Sequence, residues 1–189
     1  MEDVYRYLFQ VMWLAWALYW LYAAQSVKRE IKRESIASRL LHSVPLALAA
    51  LLLWANRELP GLGFRFWEPT AIAFWVGAAL TASGLGFAIW ARVHLGRNWS
   101  ARVTIKADHE LIATGPYAYA RHPIYTGILL GFLGTAIARG DLRGLVAFAI
   151  AALSLWRKLR VEERLLSAQF GERYADYKRE VAAIIPFVL

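Results

Sequence analysis

Long apolar runs alternate with short polar, mostly basic segments along the whole chain. Five runs stand out, over residues 7–24, 40–55, 70–91, 124–138 and 142–159. At about 1.5 Å of rise per residue, the third is long enough to cross a bilayer, and the first and fifth sit near the limit. The second and fourth are short, so they thin the bilayer or rest on other helices. The first run reads as a retained span rather than a signal peptide, because Glu2 and Asp3 occupy the place of a basic leader and the Lys/Arg cluster follows the run.

The breaks between runs carry turn chemistry. Gly61 and Gly63 after Pro60 mark a short turn, and Arg139-Gly140-Asp141 marks a tight hairpin that would make the fourth and fifth helices an antiparallel pair. The pattern predicts an all-α integral membrane protein with about five transmembrane helices and a cytoplasmic helical tail. We treat residues 1–189 as one domain, with membrane helices one and two in 1–80 and a core in 84–189.

Composition agrees with that picture. Of 189 residues, 59% are hydrophobic and only 19% charged, against about a quarter charged in soluble domains. The 9 Trp, 9 Tyr and 9 Phe suit a membrane–water boundary. Cysteine is absent, which excludes disulfides, thiolate metal sites and a cysteine nucleophile. The net charge of +8 lies between apolar runs and not along one stripe, so it predicts no nucleic-acid partner.

The same charge predicts orientation. Lys28, Arg29, Lys32, Arg33 and Arg39 follow helix one, and Arg92, Arg97, Arg102, Lys106 and Arg121 follow helix three. Seven more basic residues lie between Arg157 and Arg179, whereas the opposite side holds only Arg6, Arg57, Arg65, Arg139 and Arg143. Five crossings of a cell inner membrane, with the N-terminus outside and the C-terminus cytoplasmic, fit this asymmetry.

Candidate chemistry gathers in two polar stretches, 95–123 and 157–189. In the first, Gly115-Pro116 signals a turn and Pro123 suits the first turn of helix four. Arg121 and His122 would then stand at a helix N-terminus, a place that attracts a carboxylate. Tyr117, Tyr119 and Tyr125 offer aromatic faces to a purine or a cation. An interfacial belt of Arg and Tyr would look the same and needs no ligand. In the second stretch, Glu162 and Glu163 would share a helix face with Leu155, Leu159, Leu166 and Phe170. Arg157, Arg160 and Arg164 would face water or lipid phosphate. Carboxylates near a membrane core are site candidates, although Lys158, four residues before Glu162, offers it a local ion pair. Gly84 and Gly86, with Ala78, Ala79, Ala82 and Ser83, read as helix packing. His42 and His94 lie at helix ends, no metal-site spacing appears, and none is predicted.

Taken in order, Gly115-Pro-Tyr, Arg121-His-Pro-x-Tyr-x-Gly127, Glu162-Glu163, Phe170-Gly-x-x-Tyr174-x-x-Tyr177 and Pro186-Phe187 resemble the isoprenylcysteine carboxyl methyltransferase family, which belongs with the membrane phospholipid methyltransferases. The resemblance covers about 84–189. It implies an enzyme that uses S-adenosylmethionine to methylate a lipid or prenyl-like acceptor among membrane lipids. Carried over by motif, the cofactor-binding residues are His109, Glu110, Leu111, Ile112, Gly115, Tyr117, Arg121, His122, Pro123, Ile124, Tyr125 and Glu162. Glu163, His122, Lys158 and Arg157 are the candidate catalytic residues. Where the family has an arginine for the substrate carboxylate, this chain has Lys158, with Arg157 adjacent; a lysine keeps the charge but loses the two-pronged grip. Gly84 and Gly86 also resemble the phospholipid enzymes' Gly-x-Gly.

Two other readings stay open on these residues. Sterol-type reductases share the Gly-Pro-Tyr and Arg-His-Pro pattern and bind NADPH with it. A non-enzymatic membrane scaffold could use the same motifs for packing.

Overall fold

The computed structural model describes residues 2–25, 30–33, 35–54, 60–68, 70–96, 99, 104–106 and 111–186. In chain order its elements are α1 (Glu2–Ala23), β1 (Glu30–Arg33), α2 (Ile36–Trp54), α3 (Ala71–Leu95), β2 (Thr104–Lys106), a 3-10 turn (Gly115–Ala118), α4 (Pro123–Arg139), α5 (Leu142–Phe170) and α6 (Glu172–Glu180). Each apolar run coincides with one of the first five helices. Their ends follow local capping chemistry. Thr70 accepts from the Ala73 amide at 3.1 Å to start α3, and Asp141 accepts from the Gly144 amide at 2.9 Å to start α5. Gly140, at φ 65°, closes α4 in the left-handed conformation a helix C-terminus favours.

The expected all-α architecture needs one amendment. β1 pairs antiparallel with β2, placing Glu30 opposite Lys106 and Arg33 opposite Thr104, with a register shift between Glu30 and Lys32. This ladder ties the segments that follow α1 and α3, so the two lie at the same end of the bundle. The second helix also differs from its expected form. It starts at Ile36 because Ser35 caps it, accepting from the Ser38 amide at 3.2 Å, and it reaches 19 residues. Among the described residues, α2 and α3 are long and apolar enough to cross a membrane, each with mean hydropathy 1.8, and α4 is apolar but shorter, at 17 residues.

The helices assemble around α3 and α4, whose contact is the most extensive in the molecule. Small residues allow it: a Cβ on Gly84 would lie 2.6 Å from the Gly127 carbonyl oxygen, and one on Gly134 would lie 2.5 Å from that of Gly77. Gly84 thus packs as expected, while Gly86, Ala79, Ala82 and Ser83 face outward; the packing stripe is Gly77, Thr81, Gly84 and Ala88 at helical spacing. Thr81 donates to the Gly131 carbonyl at 3.2 Å, and Trp13 of α1 donates through its indole to Thr135 at 3.1 Å. These bonds satisfy polar groups inside an apolar core. α2 lies along α5. Outside, Leu14, Leu21, Leu41, Leu51, Ile72, Val93 and Leu153 are all more than half exposed, an apolar exterior suited to lipid.

Candidate functional site

The site forms where the approach to α4 meets the far end of α5. Gly115 adopts φ +60°, and a Cβ there would lie 2.7 Å from the His94 ring, so only glycine fits. The turn that follows buries Pro116 and Tyr117. His94 bonds Thr114 at 2.9 Å and stacks near the Tyr117 ring, with centroids 6.4 Å apart. From α6, Tyr177 donates its hydroxyl to the Tyr117 carbonyl at 2.6 Å. Burial pushes the Tyr117, Tyr174 and Tyr177 phenols upward, so all three stay protonated.

α4 begins at Pro123, as the sequence requires, and holds Arg121 and His122 at its mouth. The chain after α6 clips onto this mouth. The Arg121 amide donates to the Ala182 carbonyl at 2.8 Å, the His122 amide to Ala183 at 2.9 Å, and the Thr126 hydroxyl to Ile184 at 2.6 Å.

α5 runs on past its apolar part and delivers the acidic pair. Leu155, Leu159 and Glu163, spaced by four, are all buried on one face. Arg121 donates to Glu163 Oε1 through Nε at 2.9 Å and through Nη2 at 2.7 Å. Lys178 approaches the other oxygen at 3.0 Å. The remaining Arg121 nitrogen bonds the Val181 carbonyl. Glu162 takes the neighbouring direction: Tyr125 donates to it at 2.5 Å, Lys158 stands 3.8 Å away, and His122 Nδ1 lies 3.5 Å away. His122 is sandwiched between the two acids and stacks on Tyr125, with ring planes 6° apart.

Two cation sets therefore divide the pair of acids, and this sets the charge states. Burial favours a neutral Glu163, but His122, Arg121 and Lys178 outweigh it and hold the carboxyl far below its usual range. Burial likewise opposes charge on Glu162, and Lys158, His122 and Tyr125 lower it. For His122, burial favours the neutral ring, yet the two carboxylates raise its pKa above 6.5. The cluster is a fixed array of charges.

Nine of the fifteen candidates from the sequence sit in or beside this cluster: Arg121, His122, Pro123, Tyr125, Lys158, Glu162 and Glu163 directly, Gly115 and Tyr117 next to it. Ile124 is buried, Ile112 packs on the core and Leu111 is half-buried. His109 and Glu110, like Phe187, lie outside the described residues. Arg157 is not brought in. It turns toward α2 rather than to water, bonding the Ser38 carbonyl at 2.8 Å and His42 Nδ1 at 3.3 Å. Sequence reading missed Lys178, the tail carbonyls of 181–184, and His94 as the support for Gly115. The Tyr174-x-x-Tyr177 spacing beside Lys178 was the only signal for the first of these.

The Phospholipid methyltransferase family model matches residues 72–173, more than half of the chain, including Gly115, Tyr117, Arg121, His122, Tyr125, Lys158, Glu162 and Glu163. The chain belongs to that family. Within it, the motif resemblance to isoprenylcysteine carboxyl methyltransferases holds. Protein-S-isoprenylcysteine O-methyltransferase of Rattus norvegicus is 33% identical over 83% of this chain and 57% of its own length. The same-named protein of Schizosaccharomyces pombe is 31% identical over 66% of this chain and 52% of its own length. A cobalt-zinc-cadmium resistance protein of Cupriavidus metallidurans is 32% identical over 76% of this chain and 60% of its own length. The solved structure of a eukaryotic intramembrane Ras methyltransferase, isoprenylcysteine carboxyl methyltransferase, superposes with a TM-score of 0.58 at 27% identity, over 78% of this chain and 54% of that one. The chain spans a little over half the length of these isoprenylcysteine relatives.

Proposed function

We propose that this protein is a membrane methyltransferase that uses S-adenosylmethionine to methylate the carboxylate of a lipophilic, prenyl-like acceptor. The observation that supports this most is the meeting of Arg121, His122 and Tyr125 with Glu162 and Glu163, the motif residues of a methyltransferase family, in one charged cluster.

The donor set fits the cofactor. S-adenosylmethionine carries an ammonium, a carboxylate, an adenine and a cationic sulfonium. Glu162 is an anion for the ammonium, still 21% exposed. His122 Nε2 is buried and makes no hydrogen bond of good geometry among the described residues, with Glu163 Oε1 3.5 Å away, so its N–H can be recruited by a ligand oxygen. Arg121 adds positive charge beside it. Tyr117, Ile112 and Pro123 supply apolar and aromatic walls for the adenine. When bound, the cofactor supplies an activated methyl that passes to the acceptor oxygen as the carbon–sulfur bond breaks and sulfur keeps the electron pair.

The protein's own part is positioning and water exclusion. Glu163, tied by Arg121 and Lys178, is a poor proton acceptor, and the two carboxylates bias His122 toward its protonated form, which disfavours both as general bases. A carboxylate acceptor needs no base, which is why we prefer it to an amine. Lys158, between Glu162 and the Tyr125 ring 5.2 Å away, is the cation placed to meet that carboxylate. Among the described residues no group of His, Asp and Glu could hold a metal ion, and the mechanism requires none.

The acceptor reaches the site laterally from lipid. We assign five crossings with the N-terminus outside and the basic segments, the β1–β2 ladder and the site on the cytoplasmic side of a cell membrane. The basic asymmetry supports this orientation. The experiment is incubation of the purified protein with methyl-labelled S-adenosylmethionine and a prenylated cysteine. Base-labile label should appear on the acceptor, and Glu162→Gln with Glu163→Gln should abolish cofactor binding. Thermal protection by NADPH, with none by S-adenosylmethionine, would overturn the reading in favour of a reductase.

A further inference from the structure

The face of α5 that points away from Lys158 and Glu162 carries a second feature. Leu145, Ala149, Leu153, Trp156 and Arg160 recur at helical spacing and form one stripe along the helix. All are exposed, Leu153 at 71% and Trp156 at 44%. The apolar part of the stripe runs directly into a cleft of about 500 Å³ between the end of α5 and the segment 178–183. Trp156, Leu159 and Ala183 form its apolar wall.

The cleft is positively charged. Arg121, Arg160, Lys178 and Arg179 line it, against the carboxylates of Glu163 and Glu180. Glu163 is already taken by Arg121 and Lys178. The Arg160 guanidinium makes no hydrogen bond or ion pair among the described residues. Arg179 pairs with Asp176, but both are more than half exposed, so the pair is weak and opens at little cost. An apolar track that ends in surplus guanidinium groups is complementary to an amphiphile with a phosphate head. A free nucleotide would leave the track uncovered, and a metal ion would be repelled.

We propose that this cleft binds the phosphate of an anionic glycerophospholipid. Arg160 and Arg179 grip the phosphate oxygens with their forked N–H groups. The Trp156 indole lies at headgroup level, and an acyl chain follows Leu153 toward Leu145. Segment 178–183 forms one wall, and its carbonyls at 182 and 183 hold the Arg121 and His122 amides. A lipid seated here would therefore fasten the tail clip that completes the mouth of α4. The site stands on its own geometry and holds whether or not methyl transfer to a prenyl-like acceptor does.

The test uses the full chain in neutral detergent, with thermal unfolding and native mass spectrometry as readouts. Phosphatidylglycerol should raise Tm by about 4 °C at ten times its dissociation constant. Phosphatidylcholine should give less than half of that, and inorganic phosphate at equal concentration none. Arg160→Gln with Arg179→Gln should weaken phosphatidylglycerol binding about tenfold or more, whereas Arg164→Gln, on the same helix outside the cleft, should leave it unchanged. Should the double variant not fold, Arg160→Gln alone carries the same comparison. Equal retention of phosphatidylglycerol by wild type and variant would overturn the proposal, and so would an equal shift from inorganic phosphate, which would make this a free-anion site.

Discussion

Glu163→Gln is the most informative single change in this protein. The carboxylate is only 10% exposed and takes two Arg121 bonds, at 2.7 and 2.9 Å, and a Lys178 contact at 3.0 Å. Breaking a buried ion pair from one side costs about 3–5 kcal/mol when the remaining charge is left bare. Glutamine retains one acceptor oxygen for Arg121, and Lys178 is 39% exposed and can turn to water, so the loss should be nearer to about 2–3 kcal/mol. For a chain of this size that is a fall in Tm of roughly 4–12 °C at pH 7. The pH dependence carries the sharper test. Folding holds the Glu163 pKa below its ordinary 4.5, so its contribution is complete above that value and is lost as pH falls toward the folded pKa. The variant's Tm deficit should be present at pH 7 and at pH 5 and shrink below 4.5, where the wild-type carboxyl takes up its proton. Circular dichroism or intrinsic tryptophan fluorescence in detergent reads it directly. A variant as stable as wild type at pH 7, or a difference that does not narrow in acid, would show that Glu163 is not the paired anion described here.

Four further outcomes follow from the same geometry. Tyr125→Phe removes the 2.5 Å bond to Glu162 and should weaken S-adenosylmethionine binding about tenfold in equilibrium titration, with little change in Tm. Arg157→Gln should cost about 1–3 kcal/mol of stability, through the lost bond to Ser38, while cofactor affinity stays at the wild-type value; a large loss of affinity would return Arg157 to the site. Gly115→Ala should destabilise by more than about 1 kcal/mol, and His94→Ala in the same chain should relieve only part of it, because the φ of +60° remains unfavourable for alanine. Gly84→Ala should lower Tm by overpacking α3 against the Gly127 carbonyl, at about 1–3 kcal/mol, whereas Gly86→Ala, with nothing within 4 Å, should be neutral or slightly stabilising.

The sequence by itself determined where the five apolar helices lie, where α3, α4 and α5 begin and where α4 stops. Thr70, Pro123, Gly140 and Asp141 act on backbone groups within four residues of themselves, and the apolar runs record burial against lipid or core residue by residue. It also placed Arg121, His122 and Tyr125 at the start of α4 and the two acids on the buried face of α5, because helical spacing is local. Tertiary structure alone decided how these ends met. Which cation faces which acid depends on the crossing of α4 and α5, so Glu163 received Arg121 and Glu162 received Tyr125 and Lys158, a division no spacing encodes. Arg157 and Lys158 are adjacent in sequence, yet a 100° step around α5 sends one to Ser38 of α2 and the other to the site. Lys178 and the carbonyls of 181–184 joined through a segment some 60 residues away in the chain, and the β1–β2 ladder joined segments more than 70 residues apart. Such contacts rest on the mutual fit of Gly84 with Gly127 and Gly77 with Gly134, which brings α3 and α4 close enough to set the position of everything attached to their ends.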